Sequence, residues 1–403
     1  MITLRFLFAG LFACVATACV AAVVDGPDQL AKALRDAIPG TALELAPGHY
    51  GAVGIDRVTG PVQLTAARPD DPPVLTAITI TNSSDIGFEA IKIDYRARPD
   101  APLWLPAVDI RKAQGISFRR VLFEGDLATG GRAEDVGHPT GTALTIRDSR
   151  DITIEQSEIR GYERGIVLSG TDDISIRDNH LHRLRHDGIV MAAVRRVRID
   201  GNRIDDFDRV AASADHPDMI QMFTTGTDYP SEDVRITGNL LLSGHGLWTQ
   251  SIHLRNERVD MADAGTEMFY RDIEISGNVI ANAHLNGILV GETDGLKILR
   301  NTLIRNDRAA GPRFTEALAT PLIRVTQASR DVVIENNVAP ALLHSKASDW
   351  RVEGNVVLLP ASYDEALADA REGDPLDLGS YAYRPDGPLA GRDLGAPDLE
   401  PEP

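Results

Sequence analysis

Apolar and polar positions alternate in short runs along most of this chain, and the runs return at a nearly fixed spacing. The stretch GIVLSGTDDISIRDNHL (165–181) is matched in frame by GIVMAAVRRVRIDGNRI (188–204), which sets Asn179 and Asn202 one 23-residue unit apart. The frame recurs around Asn239, Asn278, Asn301 and Asn337, and VEGNVV adds Asn355. Two upstream units carry Ser157 and Val121 where the others carry Asn. Each unit holds three alternating segments rich in β-branched residues, and a period of two predicts strands with one buried face. Units this short cannot bury that face alone, so they stack. Asn tolerates the left-handed turns between segments, and stacked Asn side chains can hydrogen-bond to the next coil. The predicted fold is all-β: a right-handed parallel β-helix with three strands per coil.

The two ends agree with this. In GPDQLAKALRDAIPGTALELAPGHY, Leu30, Leu34 and Ile38 share one stripe, which predicts an N-terminal helix capping the open end of the coil. Residues 361–403 turn rich in Pro, Asp and Gly and are expected to wrap the last coil and then fray. Residues 1–22 read as an export signal: Arg5, an apolar run from Phe6 to Val15, then small residues at Ala16, Ala18, Ala21 and Ala22. Cleavage after Ala22 leaves a β-helix domain of residues 23–360. Cleavage at Cys19, within ATAC, gives a lipid-anchored form instead. Cys14 and Cys19 both lie in the signal, so a chain cut after Ala22 has no disulfide and no thiolate metal site. No later run is apolar enough to span a bilayer. The expected location is secreted or periplasmic, as a monomer.

Formal charge is −18 over 403 residues. No basic stripe is present to displace phosphate counterions, which argues against nucleic acid as a partner. An acidic polymer can bind only where arginines or a cation line the site locally. LAPGHY after the cap helix, the repeated Gly-Asn-x-Ile coils and the closing YRPDGPLAGRDLG resemble the pectin-lyase-like β-helix superfamily. The resemblance covers nearly the whole chain after the signal. It implies the fold and a polysaccharide partner, acidic in kind. Members of the superfamily include polysaccharide lyases, uronan C5-epimerases, polygalacturonases and non-enzymatic adhesins, so the resemblance does not select the chemistry.

Insertions fall mostly between the third strand of one coil and the first of the next, at 124–142, 205–218, 242–250 and 306–321; a further one, 255–271, follows a first strand. Insertions at one corner build walls beside a groove whose floor is the first strand. Alternation along that strand stacks Val190, Gln221, His253, Leu289 and Arg324 in one outward column, with Phe223, Arg255 and Gly291 in another. Asp187, Asp218, Gln250 and Asn286 precede the strand in successive coils. Coils lie about 4.8 Å apart, so Gln221 is expected to touch His253, with Asp218, Asp187 and Arg255 one or two coils away.

These residue types fit a lyase acting on a uronic acid. Such an enzyme neutralises the carboxylate at C5, removes the C5 proton and protonates the leaving oxygen. Arg255 and Arg324 suit the first task because their forks match a carboxylate. His253 is expected to transfer the proton, with His216 sharing acid–base work at the lip. Gln221 is expected to contact substrate, while Trp248, Tyr229 and Tyr270 lie in insertions and suit stacking on sugar rings. Asp187, Asp215 and Asp218 either bind Ca²⁺, bridging an acidic protein to an acidic sugar, or do the chemistry themselves. HDGIVM, DHPDMIQM and SGHGLW resemble the polygalacturonase series, which implies an inverting acid and base among those aspartates. The likeness departs where His216 and Pro217 separate Asp215 from Asp218, and where GHG fails to lead straight into its strand. The epimerases carry an Asp-Pro-His run; DHPD holds the same types in another order, and no roles transfer. Asp before a strand also serves simply as a turn cap. HLHRLRH (180–186) is the one histidine cluster and fits no familiar zinc spacing. The expectation is an exported lyase that cleaves a uronate-containing polysaccharide by β-elimination. An inverting hydrolase, a C5-epimerase and a non-catalytic glycan-binding β-helix are the alternatives.

Overall fold

The computed structural model describes residues 22–99, 101–210, 216–310 and 315–400. The expected signal, with Cys14 and Cys19, and the acid Asp215 lie outside them. Strands Arg164–Ser169, Asp172–Arg177 and His180–His182 make one coil, and Ile189–Ala192, Arg195–Asp200 and Arg203–Asp205 make the next. The 23-residue offset is the register found: Val167 lies beside Val190, Ile174 beside Val197 and Leu181 beside Ile204. Middle strands build a 13-stranded parallel sheet. First and third strands build two further parallel ladders, joined near the N-terminal end by Val74–Thr81, which pairs with Lys92–Asp94 early and Pro106–Arg111 later. The chain is a parallel β-helix wound in the right-handed sense that such crossovers adopt.

One core runs along the rod from Val24 to Ala339. Its first-strand column includes Ile146, Leu168, Met191, Met222, Leu254 and Val290, all fully buried. Polar groups at the corners are satisfied by ladders. At the turn from middle to third strand, each Asn Nδ2 donates to the Oδ1 of the next: Asn179 to Asn202, Asn202 to Asn239 and Asn239 to Asn278, each at 3.0 Å. The ladder continues through Asn301 and Asn337 to Asn355 at 2.9 Å per step. Ser157 takes the Asn place as expected: its N–H donates to Asn179 Oδ1, and its Oγ accepts the Val121 N–H, both at 3.0 Å. A second ladder went unread in the sequence. At the turn from first to middle strand, the hydroxyls of Ser83, Ser149, Ser231 and Ser329 accept backbone N–H groups of the preceding coil.

The helix Pro27–Arg35 starts on proline and buries Leu30 and Leu34 in the core end. It stops at Arg35, so Ile38, placed on the same stripe by periodicity, lies beyond the helix and is 69% exposed. Third strands change character along the rod. In Glu158–Arg160, His180–His182 and Arg203–Asp205, charged or titratable residues flank one core residue. In Leu240–Leu242 and Val279–Asn282 the flanking positions are apolar, and Leu242, Val279 and Ala281 join Ile304 in a second cluster. Tyr363, Leu367, Tyr381, Tyr383, Leu389 and Leu399 cover that face. The C-terminal segment therefore runs back along the flank, where the sequence reading had it wrap only the last coil. It reaches the coil of Arg203, which donates to the Leu376 carbonyl at 2.7 Å. Among the described residues no helix is long and apolar enough to cross a membrane.

Candidate active site

The insertions between third and first strands interlock into a wall. Ala310 bridges to Leu247, with its N–H on the Gly246 carbonyl at 2.9 Å. Asn306 Nδ2 donates to Ser243 Oγ at 2.8 Å and to the Gly244 carbonyl at 2.9 Å. The Arg209 guanidinium lies 4.1 Å from the Trp248 ring centroid, and the His284 ring stacks on that indole at 5.1 Å. Beside this wall is a cleft of about 390 Å³, lined by His216, Gln250, His253, Arg255, Asn286 and Arg324 among others.

Its floor has the register read from the sequence. Gln221 lies beside His253, His253 beside Leu289 and Leu289 beside Arg324. Asp218, at the start of its strand, is fully buried beneath. Gln221 Nε2 donates to Asp218 Oδ2 at 2.8 Å, and His253 Nδ1 is 3.3 Å from Oδ1. Burial pushes the Asp218 carboxyl up from 3.8 to about 6, against the pull of His253 and with the Asp187 charge adding to the rise. Asp187 sits one coil back. Its Oδ1 accepts the Asp218 N–H at 3.1 Å, and its Oδ2 lies 2.5 Å from His186 Nδ1 and accepts Arg164 Nε at 3.2 Å. Burial would lower the His186 imidazole, but the contact with Asp187 outweighs it and raises it overall. A buried polar line thus runs from Arg164 and His186 through Asp187 and Asp218 to His253. Such a line can hold an imidazole in one orientation while leaving its other nitrogen free.

The cations face the same cleft. Arg255 Nε donates to Asp260 Oδ2 at 2.8 Å, which raises the guanidinium further above its ordinary value, while burial opposes. Arg324 is exposed and makes no ion pair among the described residues. Asn286 donates its side-chain amide to Gln250, so these two acceptor–donor groups are fixed as a pair. His284, just before the first strand, accepts the Asn286 N–H on Nδ1 at 3.1 Å, and burial lowers it to about 4, helped by His253 and Arg209. The sequence reading missed His284 and Asp260. His284 occupies the approach to its first strand as His216 does, and counting back from Asn286 would have found it.

Three expectations change. Tyr270 is not a sugar platform: it opens the middle strand Tyr270–Ser276 and is buried in the core. Its hydroxyl donates to the Arg255 carbonyl at 2.6 Å, and burial raises it well above the usual phenol range. Tyr229 lies in the segment leading from Asp218–Phe223 to the middle strand, away from the cleft, with Arg195 4.4 Å from its ring centroid. His245, from GHG, turns toward Asp374 of the C-terminal segment at 3.6 Å. The acids also do not fit a calcium cage, which takes six to eight oxygens. Both Asp187 oxygens face N–H donors or imidazole, and those of Asp218 face the Gln221 amide and the His253 ring. Asp215 lies outside the described residues.

The family described as "Right handed beta helix region" matches residues 134–258, which span the coils of Asp187, Asp218 and His253. The fold is a right-handed parallel β-helix. The Dettilon tailspike protein matches with a TM-score of 0.58 at 14% identity, over 82% of this chain and 61% of the tailspike. An alginate lyase from Paenibacillus sp. matches at 0.45 and 12%, over 83% of this chain and 98% of the lyase. A surface adhesin of Streptococcus pneumoniae, PfbA, matches at 0.47 and 13%, over 82% and 84%. At such identities the likeness is one of fold. No curated protein matches the chain in sequence.

Proposed function

We propose that the cleft is the active site of a polysaccharide lyase that breaks a uronate-containing chain by β-elimination. The observation that carries this reading is the His253 ring held 3.3 Å from the buried Asp218 carboxylate, on a floor that also presents Arg255 and Arg324. Asp218 accepts the Nδ1 proton of His253, which keeps the Nε2 lone pair toward the cleft. Nε2 removes the proton at C5 of the uronate. Arg324 and Arg255, which both line the cleft, hold the carboxylate and stabilise the charge that spreads onto it as the proton leaves. The C4–O bond then breaks, the C4–C5 double bond forms, and His216 returns a proton to the departing oxygen. A local pair of arginines gives an acidic chain of net charge −18 a place to bind an acidic polymer. No step needs a metal ion.

The test is a panel of uronans and neutral polysaccharides, followed by the absorbance of an unsaturated uronate product and by reducing ends. The expected result is unsaturated product from an acidic polymer, lost in H253Q and strongly reduced in R324Q. Reducing ends without unsaturation make the protein a hydrolase; retained glycan binding with neither product makes it a binding module. Either outcome sinks the lyase reading.

A further inference from the structure

The third-strand ladder faces away from the cleft floor, and it assembles a cluster that no single stretch of sequence displays. His180 and His182 flank the core residue Leu181 and so share the outer face of one strand. Their rings stack with centroids 4.2 Å apart and planes 16° apart. Asp205 lies beside His182 one coil on, and Glu158 beside His180 one coil before. His180 Nε2 is 3.1 Å from Asp205 Oδ1, and His182 Nε2 is 3.1 Å from Glu158 Oε1. One ligand atom from each of His180, His182 and Asp205 lies within 4.8 Å of the other two, the one such group among the described residues. The Asp205 side chain is 4% exposed and that of His182 18%, while His180 at 40% and Glu158 at 39% leave one side of the cluster open to an ion arriving from solvent.

We propose that His180, His182 and Asp205 bind a divalent transition-metal ion of the zinc type and so clamp two adjacent coils together, with Glu158 within reach as a further ligand. Two imidazoles with carboxylate suit zinc, nickel, cobalt or copper, whereas calcium and magnesium call for an all-oxygen set. Tetrahedral zinc places neighbouring ligand atoms about 3.3 Å apart, close to the 3.1 Å between His180 Nε2 and Asp205 Oδ1; His182 Nε2 faces Glu158 in the preceding coil, so His182 joins the ion through its other nitrogen or by turning its ring. The outer contacts are in place as well. Arg203 Nε holds Asp205 Oδ2, leaving Oδ1 toward His180, and Arg203 is itself tied to the Leu376 carbonyl. Arg160 holds Glu158 at 2.8 Å. Partners of this kind orient ligating groups. Residue spacing hid the site because its third ligand comes from the following coil.

The test uses the full chain without a histidine tag, stripped with chelator and titrated with Zn²⁺ by calorimetry and with Co²⁺ by visible absorption. One ion per chain is expected, with a melting temperature that rises with zinc concentration. The H180Q/H182Q double variant should lose more affinity than the roughly tenfold to hundredfold expected for an outer partner, and its melting temperature should ignore zinc. D205N should weaken binding, and H253Q should bind as the unaltered protein does. No binding by the unaltered chain, or equal binding by the folded double variant, overturns the proposal. These readouts are independent of any activity at the cleft.

Discussion

A carboxylate sealed beneath an imidazole is costly to ionise, and that cost should be visible at Asp218. Its carboxyl is pushed up to about 6 by burial. The folded state therefore keeps a proton between about pH 4 and 6 that the unfolded chain has lost. Stability tied to this group is full below about pH 4 and declines as the pH rises to about 6. D218N removes the buried charge. It should raise stability at pH 7.5 by about 3 kcal/mol, with the gain vanishing near pH 4, as read by denaturant melts at both pH values. The proposed elimination needs the ionised form to hold the Nδ1 proton of His253. Activity should thus rise with pH through about 6, and D218N should lose roughly two to four orders of magnitude in kcat along with that limb. The neighbours in this site were legible because alternation fixes which residues face out and the repeat fixes which coil meets which. Gln221, His253, Leu289 and Arg324 stack as counted. The turn of His253 toward Asp218 was not legible, since strand periodicity says nothing about side-chain rotation. Tyr270 was misread because its insertion ends two residues earlier than the pattern suggested, which makes it a core position.

Each coil depends on its corners, where backbone groups turn away from sheet partners and must be met by side chains. Asn239 accepts both the N–H and the Nδ2 of Asn202, and it donates to Asn278 and to the Ile199 carbonyl. N239A leaves those buried groups without partners and should cost about 2–4 kcal/mol in a denaturant melt. N355A, at the half-exposed end of the same ladder, should cost under about 1.5 kcal/mol, because water can replace the lost partner. The Asn ladder was plain in the sequence, as the same residue type marks unit after unit. The serine ladder was not. Its members sit at first-to-middle corners, and insertions such as 224–231 lengthen some of those corners and break the spacing.

The rod as a whole owes one flank to residues far along the chain. The apolar third-strand positions Leu242, Val279, Ala281 and Ile304 belong to the coils that carry Asp218, His253 and Asn286, and the C-terminal segment covers them. A chain ending at Leu359 uncovers that strip. It should lose more stability than the roughly 2–5 kcal/mol of one large-to-small core change and should aggregate, as measured by melting temperature and light scattering. The switch from His-Leu-His and Arg-Ile-Asp to Leu-Leu-Leu and Val-Ile-Ala was present in the sequence, and it marks where cover is needed. A polypeptide interrupted during synthesis just short of that cover would already possess every group lining the cleft, yet would remain sticky. Completeness of the molecule is thereby made a matter of solubility, and a cell's quality control can discard the unfinished copy.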